Sequence, residues 1–147
     1  DKDDIGTAVA WVNESLPEDK PRHLLGIGEP LDILGAVENG CDLFDCVTAT
    51  RIARNGSLYT KNGKINIMNR QFREDLTPIE DGCACYSCKN FTKAYLAHLF
   101  HGKEILANSL ASIHNLYFIN TFVKNIRAAM LEDNFEAFKN NFIKNYN

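Results

Sequence analysis

The chain of 147 residues has no apolar run of the roughly 18 residues that a membrane-spanning helix needs. Its first residues, Asp1-Lys2-Asp3-Asp4, show neither the basic start nor the apolar stretch of a secretory signal. No internal repeat or low-complexity linker divides it into modules. Charge of one sign is also lacking: 16 Lys and Arg against 19 Asp and Glu leave a formal net charge of −3. That balance excludes a protein that coats nucleic acid indiscriminately, while leaving room for a local basic patch that grips a folded RNA. A disulfide framework is missing too, because the five cysteines, Cys41, Cys46, Cys83, Cys85 and Cys88, are odd in number and irregularly spaced. With 45% hydrophobic and 24% charged residues, the composition is that of one soluble globular unit. Thiols outside any disulfide pattern, with no targeting signal, lead to the expectation of a reducing cytoplasm.

What is present is a tight cysteine cluster, Cys83-Ala84-Cys85-Tyr86-Ser87-Cys88, with His114 further along. Three thiolates and one imidazole are the ligand set of a tetrahedral zinc ion, which binds sulfur and nitrogen at roughly 2.0 to 2.3 Å. Bridging within six residues would be strained, so disulfides are the weaker account. With every position filled by protein, none remains for substrate water, and the expected site is structural rather than hydrolytic. Such sites contribute roughly 10 to 16 kcal/mol of folding free energy in isolated finger peptides, so losing one ligand should unfold the region around it. Cys41 and Cys46 lie on or beside a strand, where a free cysteine packs as a small hydrophobe.

Periodicity supplies the elements. Ile5, Val9, Val12 and Leu16 recur at helical spacing and put one face of a helix inward, with Pro17 ending it and Trp11 read as core. His23-Leu24-Leu25-Gly26-Ile27-Gly28 is short and apolar, as a buried strand is. Leu31, Ile33, Leu34 and Val37 form a second helix, with Gly40 placed for a left-handed cap. Leu43-Phe44-Asp45-Cys46-Val47 reads as a second strand. This is the parallel βαβ pattern of α/β proteins. Ser57-Leu58-Tyr59-Thr60 and Lys64-Ile65-Asn66-Ile67 flank Lys61-Asn62-Gly63, whose Asn-Gly is a hairpin signal. Helices are expected over 91–101, closed by Gly102, over 110–131, with His114 near its start, and over 134–147, carrying Phe135, Phe138 and Phe142.

Asp45 would stand at the carboxyl end of a parallel strand, where open sheets and barrels alike place their reacting groups. Its carboxylate has three readings: nucleophile, acid/base, or structural acceptor for the loop that follows. Taken alone, the structural reading prevails, since strand-end aspartates commonly cap the next loop.

In order and spacing, Pro21-Arg22-His23-Leu24-Leu25-Gly26-Ile27-Gly28, Asp42-Leu43-Phe44-Asp45-Cys46-Val47, Thr50-Arg51, Arg54-Asn55-Gly56, the Cys83/Cys85/Cys88 cluster and Ser112-Ile113-His114-Asn115 resemble the carboxyl-terminal part of bacterial-type tRNA-guanine transglycosylases. Several motifs in order are far more specific than any one of them. The resemblance implies an α/β fold: the last two strands of a (β/α)8 barrel, an inserted zinc subdomain and long C-terminal helices. The corresponding division is 1–56 for the last barrel elements with the nucleophile strand, 57–114 for the hairpin and zinc subdomain, and 109–147 for the C-terminal helices. It further implies exchange of guanine at the first anticodon position of a tRNA for a 7-deazaguanine, the precursor of queuosine. Asp45 would be the nucleophile that attacks C1′ and holds the RNA covalently, chemistry that an ionised carboxylate suits.

By the same resemblance, Arg51 and Arg54 contact anticodon bases flanking the target, with Thr50 beside them, and Gly26 and Gly28 line the base pocket. Read from the residues alone, the arginines are a solvated helical turn and the glycines let a strand end turn. Lys89, Lys93, Arg70 and Arg73 are candidates for phosphate contacts or ordinary exposed charges, and His98 and His101 are surface residues. Ala49 stands where the family usually has Pro, which predicts a looser path into Arg51. The family forms homodimers with the zinc region near the contact.

A barrel takes about 250 residues, so the chain is expected to be a fragment, inactive alone, whose missing part holds a second Asp and most of the deazaguanine contacts. With no further RNA-binding domain after residue 147, the bacterial type is the expectation. Two alternatives stand beside it: a non-catalytic zinc and RNA-binding partner subunit, and a relative placing deazaguanine in another nucleic acid.

Overall fold

A computed structural model describes residues 4–146. The acidic start at residues 1–3 and Asn147, at the end of the last expected helix, lie outside the described residues. The fold is mixed α/β and divides into two compact units, Asp1–Thr48 and Ala49–Asn147.

In the first unit, α1 (Asp4–Ser15), β1 (His23–Leu25), α2 (Pro30–Glu38) and β2 (Leu43–Asp45) follow one another. Helix α1 stops two residues before Pro17, as the restriction on the residue preceding a proline requires. Pro30 opens α2, where its missing N–H would be unpaired in any case. At the other end of α2, Gly40 takes φ +89, its N–H donates to Val37 O at 3.0 Å and Cys41 N–H donates to Ala36 O at 3.0 Å. That pair of bonds is a Schellman cap, as the position of Gly40 predicts.

The two strands run parallel, pairing His23 with Leu43, Leu24 with Phe44 and Leu25 with Asp45. Both are three residues long, shorter than the apolar runs suggest. The reason is visible at Gly26, whose φ of +79 takes the chain out of the extended region directly after β1. Val9, Ala36 and Cys41 form a small core, with Ile5, Leu24 and Phe44 packed against it. Cys41 is thus the small hydrophobe expected. Trp11 is not core: it is 68% exposed, because two residues along a helix turn it roughly 200° from buried Val9. Val12 and Leu16, expected to be buried with Val9, are exposed as well. They line an apolar groove of about 310 Å³ with Ile5, Leu24 and Leu25.

Helix α3 (Thr48–Arg54) leads into the second unit. There β3 (Ser57–Thr60) and β4 (Gly63–Asn66) pair antiparallel. Their turn departs from the Asn-Gly expectation: Lys61 and Asn62 are the loop, and Gly63, with φ of +111, already pairs with Thr60. Only the glycine takes a positive φ, so the turn is not the mirror-image type in which Asn would share that conformation. A 3₁₀ turn (Arg70–Phe72) and α4 (Tyr86–Asn90) come next, then α5 (Lys93–His101), α6 (Ile105–Leu131) and α7 (Phe135–Asn145).

The helix expected over 91–101 starts later, because Phe91 ends α4 and the Thr92 hydroxyl caps α5, accepting from Tyr95 N–H at 3.2 Å. Gly102 follows α5 as expected but at φ −75. The left-handed residue is Lys103, at φ 56. Helix α6 begins at Ile105, so His114 sits in its third turn rather than near its start. Leu58, Ile67, Leu96, Phe100 and Leu110 form the main core with Cys85 and Cys88. Phe138 and Phe142 of α7 pack on Phe122 of α6 with ring centroids 6.1 and 4.5 Å apart.

Candidate metal centre and strand-end carboxylate

Local structure brings three cysteines to one side. The Cys-x-x-Cys spacing makes Cys85 the N-cap of α4 and puts Cys88 at its third residue, so the Cys85 sulfur accepts the Cys88 N–H at 3.3 Å and both side chains face the same way. Cys83 lies just before, after the left-handed Gly82 at φ +78. From α6, His114 turns Nδ1 toward all three sulfurs, at 4.0 Å from Cys83, 3.5 Å from Cys85 and 3.4 Å from Cys88. The four ligand atoms lie within 4.8 Å of one another. A tetrahedral ion with zinc-like bond lengths separates a sulfur from a nitrogen by about 3.6 Å, which is the middle of the observed range.

The second nitrogen settles the ring's orientation. His114 Nε2 lies 2.7 Å from Tyr59 O, and donating there it turns Nδ1 toward the sulfurs, where the nitrogen becomes a ligand once a metal displaces any proton on it. Burial is complete at His114 and nearly so at Cys85, while Cys83 is half-buried. The sulfurs compete for protons. Hydrogen bonding from the Cys88 thiol, opposed by burial and helped by the His114 ring, draws Cys85 down to about 3. The same bond and burial push Cys88 up, and burial pushes Cys83 up. One sulfur ionises readily and suppresses the others, so a divalent cation is the natural means of holding three thiolates together, with release of protons. The residues fit a metal.

Asn115, next to His114, extends the grip on β3. It is fully buried; its Oδ1 accepts from Tyr59 N–H, and its Nδ2 donates to Ser57 O and Ala49 O, each at 3.0 Å. The carbonyl and the amide of Tyr59 are therefore held by consecutive residues of α6. Spacing could not reveal this, since a buried Asn has no sequence signature apart from the motif it sits in. The bond to Ala49 also corrects the expectation of a looser path: Ala49 is buried in the first turn of α3, a position where Pro and Ala are both compatible with helix.

Asp45 closes β2, and its side chain is exposed. Gly26 N–H donates to Asp45 O at 2.7 Å, tying the ends of the two strands together. Cys46, expected as a small hydrophobe, is instead a polar junction. Its Sγ lies 3.3 Å from Gly26 O and 2.9 Å from Thr48 Oγ1, and it accepts Thr48 N–H at 3.4 Å. Gly28 is required for space: a Cβ there would lie 2.6 Å from Cys46 Cβ. Gly26 is required for its φ, with open space around it.

Arg51 and Arg54 occupy the last turn of α3, three apart and exposed on one side. Arg70, Arg73 and Lys89 are exposed, as are His98 and His101. Lys93 is neither exposed nor available to phosphate, because its ammonium bonds Asp75 at 2.9 Å and Thr77 at 2.8 Å. Hydrogen bonds from the Thr77 hydroxyl and amide, then from Lys93, hold Asp75 at about 2.

The chain is thus a mixed α/β protein carrying three thiols and one imidazole that could hold a metal ion, and an exposed strand-end aspartate. A family model described as queuine tRNA-ribosyltransferase matches residues 1–147, and the chain belongs to that family. Among similar proteins, the queuine tRNA-ribosyltransferase of Helicobacter pylori (strain ATCC 700392 / 26695) is 50% identical over 145 residues, which is 99% of this chain and 39% of the relative. That of Helicobacter acinonychis (strain Sheeba) is 53% identical over 138 residues, 94% of this chain and 37% of the relative. That of Fusobacterium nucleatum is 43% identical over 145 residues, again 99% and 39%. The chain thus spans about two fifths of the length of these relatives.

Proposed function

We propose that this chain is the carboxyl-terminal part of a tRNA-guanine transglycosylase, a pentosyltransferase that exchanges guanine at the first anticodon position for a 7-deazaguanine on the way to queuosine. Identity of 50% across 99% of the chain carries this reading, and the exposed carboxylate at the end of β2 gives it a chemical centre. In it, the Asp45 carboxylate attacks ribose C1′, the bond to guanine N9 breaks, and guanine leaves with a proton supplied from outside this chain. The ring nitrogen of the incoming deazaguanine then attacks C1′, the bond from C1′ to the Asp45 oxygen breaks, and the nitrogen's proton passes to a base outside this chain. Two displacements through an oxocarbenium-like state replace one difficult step and retain configuration.

The remaining residues take supporting roles. Gly26 and Gly28 shape the base pocket beside Asp45, and Arg51 and Arg54, with Thr50, engage the splayed bases flanking the target through guanidinium hydrogen bonds. Zinc is the metal this donor set suits, held by Cys83, Cys85, Cys88 and His114; bound there it supplies structure and no chemistry. The division at 1–56, 57–114 and 109–147 follows: the last two βα elements of a barrel, a zinc subdomain and the C-terminal helices. The whole protein would act as a cytoplasmic homodimer, and this chain by itself would be inactive. The apolar groove beside α1 and β1 fits the reading, since parallel strands are covered on both faces.

The test is a covalent trap. The full-length protein containing this chain, incubated with tRNA and denatured, is expected to retain one RNA per polypeptide on a gel, and Asp45→Asn to retain none. A wild-type protein that binds tRNA but never traps it would overturn the catalytic reading in favour of a binding subunit.

A further inference from the structure

The reaction proposed above gives no part to Cys46, although it follows Asp45 directly. Asp45 is exposed and Cys46 is half-buried. The Cys46 thiol donates to Gly26 O at 3.3 Å and its sulfur accepts from Thr48 N–H at 3.4 Å. With the thiol proton committed to Gly26, the Thr48 hydroxyl is the donor in the 2.9 Å contact between Oγ1 and the sulfur. One side chain therefore joins the turn after β1 to the first residue of α3.

That turn has little packing to hold it. Gly26 takes φ +79 and, its chain neighbours aside, no atom lies within 4 Å of where a Cβ would stand. Its backbone is free to swing unless hydrogen bonds prevent it. Consecutive residues supply those bonds: Asp45 O accepts the Gly26 N–H at 2.7 Å, and Cys46 donates to the Gly26 carbonyl. Two residues on, Gly28 lies against the same side chain, since a Cβ there would stand 2.6 Å from Cys46 Cβ and 2.8 Å from its Sγ. The loop from Gly26 to Gly28 is thus bonded to the thiol at one end and packed on it at the other. An apolar side chain of cysteine's size would keep the packing and lose the bond.

We propose that Cys46 is a positioning residue of the transfer reaction: its thiol locks the loop of Gly26 and Gly28 to the strand that carries Asp45, so that base pocket and nucleophile keep one geometry. This rests on the transglycosylase reading, which supplies the roles of Asp45 and the two glycines. Cys46 acts through them and not on the substrate. Attack at C1′ needs the carboxylate in line with the departing base, and a misplacement of about 1 Å between reacting groups costs up to roughly 100-fold in rate. RNA binding made elsewhere is untouched, so the loss falls on the rate at saturation and not on the tRNA concentration that half-saturates it.

The test is the rate of covalent trapping in the full-length protein, followed across tRNA concentrations. Cys46→Ala is expected to trap RNA roughly 10- to 100-fold more slowly at saturating tRNA, with half-saturation within about twofold of wild type and a melting temperature close to it. Cys46→Ser, which keeps a donor and an acceptor on a shorter bond, should recover most of the rate. Thr48→Val, which removes the hydroxyl that orients the thiol, should show the same split on a smaller scale. The proposal is overturned if Cys46→Ala traps as fast as wild type, if its loss lies in tRNA affinity, or if Cys46→Ser is no better than Cys46→Ala. Should Cys46→Ala not fold, a wild-type trapping rate in Thr48→Val overturns it alone. Absence of any adduct in the wild type would sink the transglycosylase reading and this proposal with it, whereas normal wild-type trapping with an undiminished rate in Cys46→Ala sinks this proposal only.

Discussion

The two units hold themselves together by different means. In Asp1–Thr48 two strands of three residues carry a core of a few side chains, and Trp11, Leu25, Leu43 and Val47 are each more than half exposed. In Ala49–Asn147 a larger core runs from the hairpin through α5 to α6, and Cys85, Cys88 and His114 are buried among it. The first unit presents the Asp45 carboxylate at an open strand end. The second binds its chain through a four-ligand cluster and a buried asparagine. The contrast teaches where stability and chemistry reside: under the reading proposed here, the carboxylate can be altered with little effect on folding, whereas the clip cannot.

The sharpest way to break that contrast is to strip the metal. Chelation, or Cys88→Ser, is expected to remove a contribution of about 10 to 16 kcal/mol and unfold the second unit, seen as loss of helical circular dichroism in step with bound metal falling from one per chain. Helicity that survives complete stripping would mean that the core suffices alone. Next in size is Asn115→Leu, which leaves the Tyr59 amide and two carbonyls without their partner. About 3 kcal/mol or more of stability should be lost, read from the denaturant midpoint.

A smaller effect sharpens the picture around α5. Asp75 is held at about 2 in the folded chain, well below the usual carboxylate range, so its contribution is complete above about pH 4 and is lost as the pH falls through 2. The melting difference between wild type and Asp75→Asn should therefore be constant near neutrality, worth about 1 kcal/mol or less for a partly exposed pair, and should close in acid. A difference that vanished near pH 6 would implicate another group. The smallest effect belongs to the first unit. Asp45→Asn, at an exposed side chain, should shift stability by no more than about 0.5 kcal/mol by thermal melt while abolishing the RNA adduct. A large destabilisation would mean that Asp45 is a structural acceptor after all.

Much of this was legible before any coordinates. Helical spacing located α2 and α6, Gly40 marked the end of α2, and the Cys83, Cys85, Cys88 and His114 set pointed to one site that the fold then brought within ligand distance. The misreadings share a cause. Helical spacing turns Trp11 inward, yet its side of α1 stays mostly exposed, and the sequence around Cys46 reads as apolar, yet two backbone segments converge on its sulfur. In each case the neighbour that decides the environment belongs to another element.

By itself, then, the sequence determined what local forces control: which segments coil, where proline and glycine stop them, and a ligand spacing that a short helix cap converts into geometry. Only the tertiary structure decided that His114 and Asn115 hold the carbonyl and the amide of Tyr59, that Gly28 yields its space to Cys46, and that Lys103 lines a cleft with Arg54. Those pairings join residues far apart in the chain. They depend on how helices and strands pack, which the spacing of residues within any one of them does not encode.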